Sequence, residues 1–297
     1  MILVLFGDGA IAQVTLSGGS RGNYQSISWA WGLGILLGTY TSTRSGSHLN
    51  PAITFTNCLL RPSTHPWSIL PVYTLAQTLG AIIAATLIYA NYHSAIDVHE
   101  GRLHGRSVPI TSFSSAMIGS NAMAMSNATA GIFSTYPAPF MTRSDAFFSE
   151  SLASAILMFL VFVSKDVAYP PPPPPPSHSP SLHSTDPATT NHIPHTNPKE
   201  ETGRGDLILP LGLFFTVFGI GASFGWETGY AMNLARDFGP RLVSCMVGYG
   251  REVWTAGGYY FWIPMVAPFV GCIIGGSTYD LFLYAGTESP LSFNAVY

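Results

Sequence analysis

Charge is what this 297-residue sequence has least of. Asp, Glu, Lys and Arg together make up 9% of it, against roughly 25% in a typical soluble protein. Hydrophobic residues reach 47%, glycines number 30 and the mean hydropathy is +0.29, which argues for an integral membrane protein over a soluble enzyme. The net formal charge is only −3 and no basic run is present, so nothing suggests nucleic acid. Cysteine is scarce too. The odd number of Cys58, Cys245 and Cys272 argues against a disulfide framework, and no pair has metal-ligand spacing. Each lies in or beside an apolar stretch, which predicts free buried thiols. Also missing are a cationic n-region and a clear small-residue cleavage site, so the N-terminus does not read as a signal peptide.

What is there is apolar sequence in six stretches: 1–16, 26–43, 68–90, 146–164, 207–225 and 260–285. A helix needs about 20 residues to cross the hydrocarbon core, which all but the first approach. Stretch 1–16 begins inside its apolar run at Met1, so the first span is expected to be truncated at its N-terminal side.

The few charges cluster. GYAMNLARDFGPR (229–241) packs Asn233, Arg236, Asp237 and Arg241 between apolar neighbours, and polar groups at membrane depth mark polar pathways. Its first half matches GSHLNPA (46–52): Gly four residues before the Asn, a bulky apolar residue one before it, Ala two after it. Each motif follows two apolar stretches, opens a short segment (50–61 and 233–243) and is followed by one more full stretch. The chain therefore reads as span–span–short segment–span, twice, with repeat one at about 1–92 and repeat two at about 146–285. Three crossings leave the chain on the opposite face, so the second copy enters inverted. The two short segments would then dip in from opposite sides and meet at mid-bilayer, a transport architecture. Irregular backbone is tolerated there only when buried in protein or lining a water-filled cavity. The pairs Gly34/Gly38, Gly221/Gly225 and Gly271/Gly275 are expected to let helix backbones approach. Lys and Arg divide evenly between the two predicted sides, which leaves orientation open.

With HLNPAIT (48–54) and NLARDFGPR (233–241), supported by WAWGLG (29–34), AGIFSTYPAP (130–139), GYYFWIPMVAP (258–268) and YDLF (279–282), the sequence resembles the major intrinsic proteins. The closest resemblance is to the fungal aquaglyceroporins, over nearly all of the chain except about 168–204. The resemblance implies an all-α, aquaporin-like right-handed bundle of six spans in two inverted repeats, with two re-entrant half-helices. It implies passive permeation of glycerol, other small neutral solutes and water, with protons and ions excluded. It also implies no chemical transformation, no cofactor, no metal, a homotetramer in the lipid bilayer and, for localisation, the plasma membrane.

Carried over residue by residue, the pore motifs are Asn50, Pro51, Ala52 and Asn233, Leu234, Ala235. Helix N-termini are electropositive, and Asn50 and Asn233 would cap theirs while offering amide donors to a solute. Pro51 suits the first helical position, where Leu234 departs from the commoner Pro. The selectivity filter would be Arg236, with Trp31 and Tyr230 opposite it, and Gly221 leaving the gate wider than the His of water-selective members. For loop support, His48 would brace the first loop by hydrogen bonds. Glu150 matches an acid supporting the opposing loop, and Asp237 would bond backbone N–H groups near the half-helix start. Asp8, in FGDG, has no assigned role.

Two further departures stand out. Between Tyr40 and Ser45 lie four residues, TSTR, one fewer than in related proteins, which would rotate a continuing helix by about 100° and threaten the placement of Asn50. Residues 168–205 carry seven consecutive prolines (170–176), read as a disordered inter-repeat insert. Its His178, His183, His192 and His195 are too irregularly spaced for a metal site, and Asn127-Ala128-Thr129 is a glycosylation sequon. The alternatives are a channel for water, peroxide, urea or a neutral metalloid, a non-conducting relative or faulty reading frame, and a coupled secondary transporter.

Overall fold

The computed structural model describes residues 1–101, 106–109, 111, 128–170, 198–284, 286 and 289–291, with 198–204 as backbone only. Asn127, the four insert histidines and all but the edges of the insert lie outside the described residues.

The described residues are helical. Six long helices are α1 (Ile2–Leu16), α2 (Tyr24–Thr41), α4 (Ile69–Glu100), α5 (Arg143–Ala168), α6 (Pro198–Thr228) and α9 (Ile263–Phe282). Two short helices start at the asparagines, α3 (Pro51–Leu60) and α7 (Leu234–Ser244), and the brief α8 (Glu252–Tyr259) leads into α9. Four segments are long and apolar enough to cross a membrane: Ile69–Glu100, Arg143–Ala168, Gly205–Thr228 and Glu252–Phe282. At 15 residues, α1 reaches about 23 Å at 1.5 Å per residue. All six expected spans and both short segments are present. The largest difference is α4, which continues as helix through Glu100, ten residues past the apolar stretch 68–90 and into the long outer connection of residues 92–145.

Packing follows the two halves. The second helices, α2 and α6, pack face to face. Each short helix leans on the last long helix of the other half, α3 on α9 and α7 on α4, and α3 meets α7. The shortening expected after Tyr40 does not displace Asn50. Helix α2 ends at Thr41, a 3₁₀ turn spans Thr43–Ser45, and Gly46 takes φ 76°. The chain is thus reset before Asn50, which still caps its helix.

Gly271, Gly275 and Gly34 behave as helix contacts, while Gly38 faces the Leu49 side chain. A Cβ on Gly34 would lie 2.8 Å from the Leu3 carbonyl oxygen of α1. At Gly271 and Gly275 it would fall on the backbone carbonyls of Ser151 and Ala155 in α5. Gly221 and Gly225 differ, since both face the ring of Tyr230 rather than a neighbouring helix backbone.

Backbone contact at Gly275 leaves no flexible atom to move aside. Gly275→Ala is expected to destabilise the bundle by about 1–3 kcal/mol, the usual cost of overpacking, read as a lower unfolding midpoint in detergent. Gly219→Ala is the control, because nothing lies within 4 Å of its Cβ position.

Candidate functional site: the lumen between the half-helices

The site starts from two unusual loops. Ser47 and Leu49 have φ of 52° and 54°, and Tyr230 and Met232 have 40° and 49°. These residues stand three and one before Asn50 and Asn233. Left-handed non-glycine backbone costs roughly 1–2 kcal/mol per residue, so its appearance at matching positions requires compensation. Much of it is visible. Asn50 Oδ1 accepts from the Ala52 N–H at 2.9 Å, and its Nδ2 donates to the Met232 carbonyl at 2.7 Å. Asn233 Oδ1 accepts from the N–H groups of Ala235 and Arg236, and its Nδ2 donates to the Leu49 carbonyl at 2.9 Å. Each loop thus presents a carbonyl to the other loop's asparagine. An amide NH₂ carries two hydrogens, so each keeps one for a third partner.

Around this crossing runs a narrow lumen lined by Trp31, His48, Asn50, Ile53, Leu157, Val161, Tyr230, Met232, Asn233 and Arg236, among others. At one end it adjoins a cavity of about 290 Å³, sharing Trp31, Tyr230 and Arg236. At the other it adjoins one of about 610 Å³, sharing Gly46, Ser47, Lys165 and Leu209. In the loop beside the wider cavity, burial reinforced by the Lys165 charge pushes the His65 imidazole down to about 4, keeping it neutral at ordinary pH.

The arginine end is built mainly by residues on other elements. Arg236 is 5% exposed; its Nη1 donates to the Phe133 carbonyl at 3.4 Å and lies 3.8 Å from Asp8 Oδ1. Its guanidinium carbon sits 4.2 Å from the Trp31 ring centroid. Trp31 therefore stacks on the arginine instead of standing opposite it, because Gly7 leaves the indole room against α1. The space that Gly221 leaves is taken by a ring. A Cβ there would lie 2.8 Å from Tyr230 Cζ and Oη, so the absent side chain seats the tyrosine ring.

The supporting residues are buried. His48 Nδ1 bonds Thr54 Oγ1 at 3.1 Å, and its ring packs on Tyr73 and His65. Glu150 accepts the Ala231 and Met232 N–H groups, one on each oxygen, both at 2.9 Å. The loop it holds is the one in its own half, not the opposing one. Asp237 accepts from the N–H and hydroxyl of Thr135 at 2.8 and 2.7 Å and from Arg241 Nε at 2.8 Å. Its backbone N–H partner is Thr135 in the outer connection, and Arg241 lies one turn further along α7, so neither is an N–H group at the start of its own half-helix. Pro51, Ala52 and Ala235 are buried in the first turns of α3 and α7, and Leu234 there is half-buried.

Sequence reasoning left several of these groups unassigned. Arg241, 1% exposed, donates to the carbonyls of Thr135 and Val253, both at 2.6 Å, and so ties α7 to the outer connection and to α8. Arg61 closes the other half-helix, with a bidentate pair to Asp280 at 2.8 and 2.6 Å, over the rings of Phe162 and Tyr284. A cation at the end of α3 also suits the helix dipole. Their only sequence signal is charge beside apolar runs. The cysteines are free, Cys58 and Cys272 buried.

Comparison with known proteins agrees with this geometry. The family model for "Major intrinsic protein" matches residues 1–169 and 191–279. The chain is 53% identical over 291 residues to probable aquaglyceroporin-2 of Gibberella zeae, covering 98% of this chain and 71% of that protein. It is 50% identical to aquaglyceroporin-9 of Botryotinia fuckeliana, again over 98% of this chain but only 53% of that protein. Among solved structures, the aquaglyceroporin from Plasmodium falciparum superposes with a TM-score of 0.65 at 24% identity, covering 94% of this chain and 90% of that one. Matched in both halves and along nearly its whole length, this chain belongs to the major intrinsic protein family and is an integral, multi-pass membrane protein.

Proposed function

We propose that this chain is a passive channel for glycerol and similar small uncharged solutes, with water permeability, that excludes protons and ions. The observation that carries the reading is the series of three adjoining cavities threaded past the Asn50–Asn233 crossing. The names of its relatives, aquaglyceroporins at 50–53% identity, favour the same solute class.

The mechanism follows from donors and apolar walls. Both half-helices turn N-termini toward the crossing, where unpaired N–H groups and dipoles oppose a cation. A hydroxyl or water oxygen accepting from both asparagine amides must turn its own hydrogens away, which breaks a chain of proton transfers. At the filter, Arg236 presents its remaining N–H donors to adjacent hydroxyls of a polyol. The rings of Trp31 and Tyr230 face its alkyl edge. His48, Glu150 and Asp237 keep the two loops in register. The solute leaves as it enters, so no catalysis is involved.

Coupled transport would need an acid at mid-membrane that is reached from the lumen, for which the sequence offers Asp8. Asp8 is fully buried, lies beside Arg236 and is absent from the lining of all three cavities. The exposed apolar faces, such as Val72, Leu75, Leu79 and Ile83 on α4, fit lipid and neighbouring subunits of a homotetramer, and the plasma membrane is the proposed location.

In proteoliposomes, glycerol should equilibrate without accumulating, with or without an imposed proton gradient; gradient-driven accumulation would refute a passive channel. Arg236→Ala should change the permeability ratio of glycerol to larger polyols by about tenfold, roughly the worth of one charge-assisted hydrogen bond. Trp31→Ala should weaken discrimination by shape. Unchanged ratios in both variants would remove the filter assignment.

A further inference from the structure

The first span carries a carboxylate with no role in the reading above. Asp8 is 0% exposed, and neither of its oxygens has a hydrogen-bond partner among the described residues. A buried, unsatisfied carboxylate is rare and demands an explanation. Arg236 is the sole cation within 4 Å of it among the described residues, at 3.8 Å. The neighbouring acid, Asp237, is committed to Arg241 and Thr135. Gly7 explains the approach: its missing side chain lets the Trp31 indole lie against α1, and Arg236 stacks on that indole. Asp8 is thus brought behind the guanidinium, outside the lumen lining.

We propose that Asp8 is the fixed counter-charge of Arg236 and thereby determines how the channel treats ions of opposite sign. This rests on the reading of Arg236 as the filter. A lone guanidinium at a constriction repels cations and offers anions a binding site. Paired with a carboxylate behind it, the two charges become a dipole, whose field falls off faster than that of a single charge. The arginine keeps its donors for neutral hydroxyls while losing its hold on anions. Cation exclusion then falls chiefly on the half-helix termini. Asp8 is therefore a specificity-determining residue acting through Arg236.

The test uses formate as a small anionic probe, with the full chain in proteoliposomes. Wild type should conduct glycerol without inhibition by formate. Asp8→Asn, which keeps shape and removes charge, should raise the ratio of formate conductance to glycerol flux by at least about tenfold, as expected when one nearby unit charge goes uncompensated in a medium of intermediate dielectric. Asp8→Ser should act likewise, Asp8→Glu should restore the wild-type ratio, and adding Arg236→Gln to Asp8→Asn should abolish the gain. Competitive inhibition of glycerol flux by formate in wild type overturns the proposal whether or not any variant folds. An unchanged ratio in both neutral variants, at equal incorporation, also overturns it. If Arg236→Ala shifts polyol selectivity while Asp8→Asn leaves the ion ratio alone, only the role of Asp8 fails. Unchanged selectivity in both Arg236→Ala and Trp31→Ala removes the filter itself.

Discussion

Two side-chain amides hold the halves of this protein together where they meet. Asn50 donates to the carbonyl before Asn233, and Asn233 donates to the carbonyl before Asn50. The exchange is reciprocal, as expected when two copies of one motif face each other. It also closes a bonding problem. Loop backbone at the middle of a bilayer has no solvent to satisfy it, and two loops pointing at each other can supply the missing partners. The left-handed residues at matching positions turn the chain tightly enough to allow this.

The remaining structure keeps that crossing in register. Glu150 clamps the loop before Asn233 through two backbone N–H groups. Asp237 and Arg241 bind that half-helix to Thr135 and Val253, while Arg61 and Asp280 fix the far end of the other. In a chain with so few charges, these spend theirs inside. A buried charge is tolerable when paired and fully bonded, and both Arg–Asp pairs have multiple short hydrogen bonds. Asp8 stands apart because, among the described residues, it faces a cation without a hydrogen bond.

Much of this was legible in sequence. The apolar stretches, the two short segments and the recurrence of Gly, apolar residue, Asn and Ala located every principal helix, because hydrophobic length and caps act locally. Gly34, Gly271 and Gly275 met helix backbones as their spacing suggests, whereas Gly38 faced Leu49 and 221/225 seated Tyr230. A missing side chain announces space but does not say what fills it. The same limit applies to Trp31, whose ring lies against the Arg236 guanidinium, and to the carboxylates of Glu150 and Asp237, whose partners lie elsewhere than expected.

The sequence by itself determined that the chain belongs in lipid, that it repeats, and where each half-helix begins. These follow from composition, periodicity and capping, which are properties of neighbours along the chain. Only the tertiary structure decided which acid meets which arginine, that Thr135 and Phe133 reach back from the outer connection to the site, and that Asp8 stands behind Arg236. Apart from Asp237–Arg241, one turn apart in α7, those contacts join residues from about 100 to more than 200 positions apart. Helix packing sets such distances, and the packing is fixed by side-chain volumes on several helices at once rather than by any one segment.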